Sequence, residues 1–83
     1  MENVNNFYES LVADQFAERD LESQYDESTL EDIYCTALNR LPPKYIASLV
    51  NFYYFVEEEV RDSMAADASE AVEYALAQVA KRR

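Results

Sequence analysis

The chain has 83 residues and a formal net charge of −10, with no histidine, no glycine and one cysteine. A single cysteine excludes an internal disulfide, the lack of histidine excludes a zinc site of the usual Cys/His kind, and the lack of glycine argues against Gly-rich phosphate loops and tight primed hairpin turns. The acidity sets the chain against nucleic acid polymers and anionic membranes as direct partners.

In chain order, the first element is a helix. Val4, Phe7, Tyr8, Leu11, Val12 and Phe16 repeat at helical spacing and make one apolar stripe over about three to four turns. Residues 18–27 are polar and lack that period, so they are expected to form a connecting loop, with Tyr25 tucked inward. Ser28, Thr29, Leu30 and Glu31 read as an S-x-x-E capping box, with Glu31 and Asp32 suited to the positive end of the helix dipole. Behind it, Leu30, Ile33, Tyr34, Ala37, Leu38 and Leu41 form a second stripe. Pro42-Pro43 ends that helix, because Pro43 keeps Pro42 out of the α region and neither supplies an N–H.

An extended exit through Tyr45 is expected next, then a helix from about 48 to 64, since Leu49, Tyr53, Val56, Val60 and Met64 continue at helical spacing. Residues 44–56 are also aromatic and β-branched enough for a strand. Asp67, Ala68, Ser69 and Glu70 give a second capping signal, and Ala68, Ala71, Val72, Ala75, Leu76 and Val79 make the last stripe. Lys81, Arg82 and Arg83 close it at the negative end of the dipole. The expected fold is all-α: one domain over residues 1–83, about four helices, and a Pro-Pro break after the second.

A chain this short buries only roughly 60% of the surface its unfolded form exposes. With disulfide and zinc set aside, a partner subunit is the remaining source of stability, so a homodimer is expected. No apolar run approaches the ~20 residues needed to span a bilayer. Residues 1–5 show neither the basic nor the apolar region of a secretory signal. One unpaired cysteine suits a reducing compartment, so a cytoplasmic location is expected.

The distribution of charge says more than its total. Residues 1–32 carry −9, residues 33–56 carry +2 and residues 57–83 carry −3. The middle segment has no acid, two bases, Arg40 and Lys44, and six of the eleven aromatics. One reading is a core and dimer face, where charge is unwelcome and tyrosine common. The other is a pocket for a flat, anionic ligand. Arg40 would then offer its planar fork to phosphate, Lys44 a point charge, Tyr45 or Tyr34 a stacking face, and Asn39 a hydrogen bond to a base edge. A dimer seam can serve as both.

Residues 32–46, Asp-Ile-Tyr-Cys-Thr-Ala-Leu-Asn-Arg-Leu-Pro-Pro-Lys-Tyr-Ile, resemble the signature of the late competence protein ComFB family, roughly Asp-Val-x-Ala-x-Ala-Leu-Asn-x-Leu-Pro-Pro-x-Tyr-Val. The resemblance implies a small, dimeric, non-catalytic protein, first linked to competence for DNA uptake. Some members are described as receptors for cyclic dinucleotides, chiefly cyclic di-GMP, with some binding cyclic di-AMP. It implies a second-messenger receptor that signals to a protein partner such as a transcription factor, with no further cofactor. The candidate ligand-binding residues are Arg40, Lys44, Asn39, Tyr45 and Thr36, with Arg19, the only base in the first 32 residues, as a contact from the loop. Some members carry a zinc-binding Cys-x-x-Cys just upstream of the signature aspartate. Here Asp26 and Thr29 stand there, so no metal is expected, and Cys35 is read as a packing residue.

Two other classes compete. A ligand-independent adaptor would dock its acidic faces on a basic partner. An enzyme is disfavoured, because without histidine no Ser/His or Cys/His pair exists, and the runs Glu57-Glu58-Glu59 and Asp20 to Glu27 read as solvated surface.

Overall fold

The computed structural model describes residues 5–43, 45–46 and 57–82. Within them lie three α-helices: α1 (Phe7–Glu18), α2 (Glu27–Arg40) and α3 (Glu58–Arg82). A single 3-10 turn, Leu21–Ser23, joins α1 to α2. A short antiparallel ladder pairs β1 (Asn5–Asn6) with β2 (Tyr45–Ile46), in the register Asn5 to Ile46 and Asn6 to Tyr45. The fold is helical. None of the described helices is long and apolar enough to cross a membrane.

The first helix starts where Asn6 can cap it. Its Oδ1 accepts the Tyr8 N–H at 3.2 Å, which satisfies one of the orphan donors of the first turn. The apolar stripe then buries Phe7, Tyr8 and Val12, with Leu11 and Phe16 partly covered. Val4 lies outside the described residues.

The turn after α1 solves a problem set by the absence of glycine. Asp20 takes the left-handed conformation, φ 52° and ψ 46°, a region that costs most L-residues about 1–2 kcal/mol. Local bonds hold it there. The Ser23 hydroxyl donates to the Asp20 carbonyl at 3.0 Å and to its carboxylate at 2.7 Å. Gln24 Nε2 donates to the carbonyls of Arg19 at 2.8 Å and Asp20 at 3.0 Å. This segment is more than a polar loop, because the turn drives Leu21 into the core at 2% exposure. Tyr25 is half-buried against that core, as expected.

The start of α2 corrects the capping-box expectation. Asp26, not Ser28, is the N-cap, and its Oδ1 accepts the Thr29 N–H at 2.8 Å. Aspartate caps as well as serine and adds a negative charge at the positive end of the dipole. The earlier start places Leu30 within a formed turn. The helix ends at Arg40, and Leu41 is extended at φ −100° and ψ 143°, the conformation favoured before a proline.

The last helix corrects a second expectation. It runs unbroken from Glu58 to Arg82, so residues 58–64 and the stripe from Ala68 belong to one element. The Asp67 to Glu70 capping signal is overridden by the helix-forming alanines, Met64 and glutamates around it, and Ser69 spends its hydroxyl on another bond described below. Residues 48–56 of the expected third helix lie outside the described residues.

On α3, Ala68, Ala71, Val72 and Ala75 are fully buried, flanked by Met64 and Val79. This stripe of small side chains lets α1 and α2 pack close, with Ile33 and Ala37 of α2 at 0% exposure. Two exposed ion pairs lie along the antiparallel α2–α3 seam: Asp32 with Arg82 at 3.7 Å and Arg40 with Glu70 at 2.8 Å.

Candidate functional site

Both arginines singled out from sequence dock on α3, but on opposite flanks of it. Ser69 and Glu73 lie on one side of the buried stripe, and Glu70 and Tyr74 on the other, since each pair is spaced i, i+4 along the helix.

Arg19 follows the last residue of α1. Its Nε donates to Gln15 Oε1 at 3.1 Å, and its Nη2 reaches the Ser69 hydroxyl at 3.0 Å, the Ser69 carbonyl at 3.4 Å and Glu73 Oε1 at 3.3 Å. It ties the end of α1 to α3 and does not line the hollow that holds Arg40.

Arg40, in the last turn of α2, crosses to the other flank. Its Nε donates to Glu70 Oε1 at 3.1 Å and Oε2 at 3.3 Å, and its Nη2 donates to Oε1 at 2.8 Å. Its guanidinium carbon also sits over the Tyr74 ring, 4.1 Å from the centroid, within range of a cation–π contact. The hydrogen bonds to Glu70 raise the Arg40 pKa and hold the Glu70 carboxyl below the usual carboxylate range. A segment acid-free in sequence therefore meets an acid in space.

Thr36, Asn39, Arg40 and Tyr74 together line an open hollow of about 420 Å³. The first three share a face of α2 at i, i+3, i+4 spacing, which is why one helix brings them together. They offer a hydroxyl, an amide and a cation, beside an aromatic face. Tyr45 is not among the lining residues: it is 67% exposed in β2, opposite Asn6. Lys44 lies outside the described residues. Glu70 and Tyr74 were missed from sequence. Glu70 was absorbed into a capping signal, and Tyr74 falls off the apolar stripe; their i, i+4 spacing puts them on one flank but does not point to Arg40.

Tyr34 occupies a different hollow, of about 470 Å³, lined also by Phe16, Glu27, Leu30, Glu31 and Cys35. Cys35 is exposed, which corrects the packing role expected from sequence, because its place on α2 faces away from the core. It meets Phe16 edge to face, with centroids 5.8 Å apart at 88°. Burial raises the Tyr34 phenol pKa, helped by the nearby Glu9 carboxylate. Among the described residues no cluster of metal-ligating side chains is present.

No curated protein and no solved structure matches the chain. The family model described as late competence development protein ComFB matches residues 5–83. That span includes both arginines, the Thr36–Asn39–Arg40 face and the whole of α3, and the chain belongs to the late competence development protein ComFB family.

Proposed function

We propose that this chain is a non-enzymatic, cytoplasmic receptor for a cyclic dinucleotide, cyclic di-GMP or cyclic di-AMP, that passes the signal to a protein partner. The observation that carries the reading is the hollow at the end of the signature helix, lined by Thr36, Asn39, Arg40 and Tyr74. Its chemistry suits a nucleotide. Arg40 pairs with phosphate, and Asn39 and Thr36 hydrogen-bond a base edge or ribose. Lys44, four residues beyond Arg40 in sequence, adds a second positive charge. A homodimer would supply the set twice, matching the two phosphates, two purines and two-fold symmetry of the ligand. Calorimetric titration with cyclic di-GMP and cyclic di-AMP tests this: saturable heat is expected with at least one of them, and no heat with either refutes it.

One observation favours a second reading, a ligand-independent adaptor. The apolar hollow of Phe16, Leu30 and Tyr34 is also lined by Glu27 and Glu31, which suits a basic, apolar-tipped partner segment. Partner capture in pull-downs that is the same with and without cyclic dinucleotide would favour the adaptor. Capture only with nucleotide would favour the receptor.

A further inference from the structure

A guanidinium on a flexible stem is a poor ligand clamp unless something holds its plane and its direction, because each immobilised long side chain costs binding free energy. Arg40 is held by two side chains of α3. The Tyr74 ring lies under its guanidinium carbon, 4.1 Å from the ring centroid. The Glu70 carboxylate takes one edge, through Nε and Nη2. A guanidinium has a second pair of parallel donors on its Nη1–Nη2 edge. No acceptor among the described residues takes that edge, and Arg40 lines the hollow with Thr36 and Asn39.

The geometry points to Glu70 and Tyr74 as positioning residues: they preset Arg40 so that its Nη1–Nη2 edge receives a phosphoryl group of the ligand bound in the Thr36–Asn39–Arg40 hollow. This rests on the reading of that hollow as a phosphate-bearing ligand's site. It adds to the site two residues of α3, which lies outside the signature segment 32–46. It also gives the site a mechanical link, since a phosphate on Arg40 pulls on the helix that carries Glu70 and Tyr74. Both residues are exposed, Glu70 at 58% of its side chain and Tyr74 at 38% overall, so their truncation spares the core.

The test compares wild type, Glu70→Ala, Glu70→Gln, Tyr74→Leu and Tyr74→Phe, with two probes, cyclic di-GMP and inorganic pyrophosphate. Binding is read by calorimetry, and the Arg40 Nε–Hε resonance is followed by NMR without ligand. Glu70→Ala and Tyr74→Leu should each weaken binding by about two- to tenfold, the cost of ordering one long side chain. The Arg40 resonance should broaden by faster exchange with water. Tyr74→Phe, which keeps the ring, should bind like wild type, and Glu70→Gln, which keeps one acceptor, should fall between. If Glu70→Ala binds cyclic di-GMP as tightly as wild type or more tightly, Glu70 competes with the ligand or is idle, and the proposal is overturned while the receptor reading stands. If cyclic di-GMP binds no variant but pyrophosphate binds with the expected order, the positioning role stands and the cyclic di-GMP assignment falls. If neither probe binds wild type, both fall.

Discussion

Arg40 and Glu70 meet across the α2–α3 seam in a two-pronged ion pair with its shortest bond at 2.8 Å. The pair sits at the outer edge of the seam, beside a hollow rather than inside the core. An exposed ion pair adds little to stability, because water screens it and both side chains must be ordered. Its consequence is therefore directional: it fixes where the cation of the signature helix points.

Arg19 makes the opposite case, a cation used for structure. Its guanidinium joins Gln15, Ser69 and Glu73, and the side chain is 26% exposed. Arg19→Ala should lower unfolding stability by about 0.5–1.5 kcal/mol and leave ligand affinity unchanged. Urea unfolding beside a binding titration checks both halves.

The left-handed Asp20 sets a backbone prediction. Asp20→Gly removes the Cβ that crowds this conformation but loses the Ser23 bond, so its stability should stay within about 0.5 kcal/mol of wild type. Asp20→Val keeps the crowding, adds a β-branch and loses the bond, and should cost about 1–2 kcal/mol. Chemical unfolding of the two variants should separate them in that order.

The small-residue stripe of α3 admits a size test. Ala71 is fully buried, so Ala71→Leu should overpack the seam and cost about 1–3 kcal/mol. Ala66→Leu, on the exposed face of the same helix, should be close to neutral. Equal thermal midpoints for the two would contradict the packing described.

Stability should respond to pH at both ends. Burial first, then the Asp67 carboxylate, raises the Tyr8 phenol pKa, and burial chiefly raises that of Tyr34. The folded state then holds these protons more tightly than the unfolded one. Their contribution is intact below the unfolded value near 10 and is lost as pH rises through the folded values. Glu70 is shifted the other way by its hydrogen bonds to Arg40. Its contribution is present above the unfolded carboxylate range and is lost as pH falls through the folded value. Unfolding curves should show alkaline destabilisation that Tyr8→Phe and Tyr34→Phe each reduce. The difference between wild type and Glu70→Gln should vanish in acid.

The helices that carry the site were largely legible, because apolar spacing around Val12, Ile33 and Val72 reports burial directly. What misled were local signals that tertiary structure overrode. Ser28 looked like the cap because Glu31 completed a box, but Asp26 offered an equal cap two residues earlier. Asp67 and Ser69 looked like a helix start, but no break occurs there, and Ser69 serves Arg19 instead. Leu21 was hidden in a polar stretch because one apolar residue has no period. The face of Thr36, Asn39 and Arg40 could be read from α2 alone. Glu70 and Tyr74 could not, since their partnership with Arg40 depends on the register of two helices separated by 30 residues in sequence.

The most direct test of the account is a pair of calorimetric titrations with the cyclic dinucleotides, one on wild type and one on Arg40→Ala. Wild type should bind at least one of the two, and Arg40→Ala should bind it about ten- to a hundredfold more weakly, the loss expected for a charge-assisted phosphate contact, with an unchanged circular dichroism spectrum. Equal affinity in the two proteins, or no binding to wild type, would contradict it.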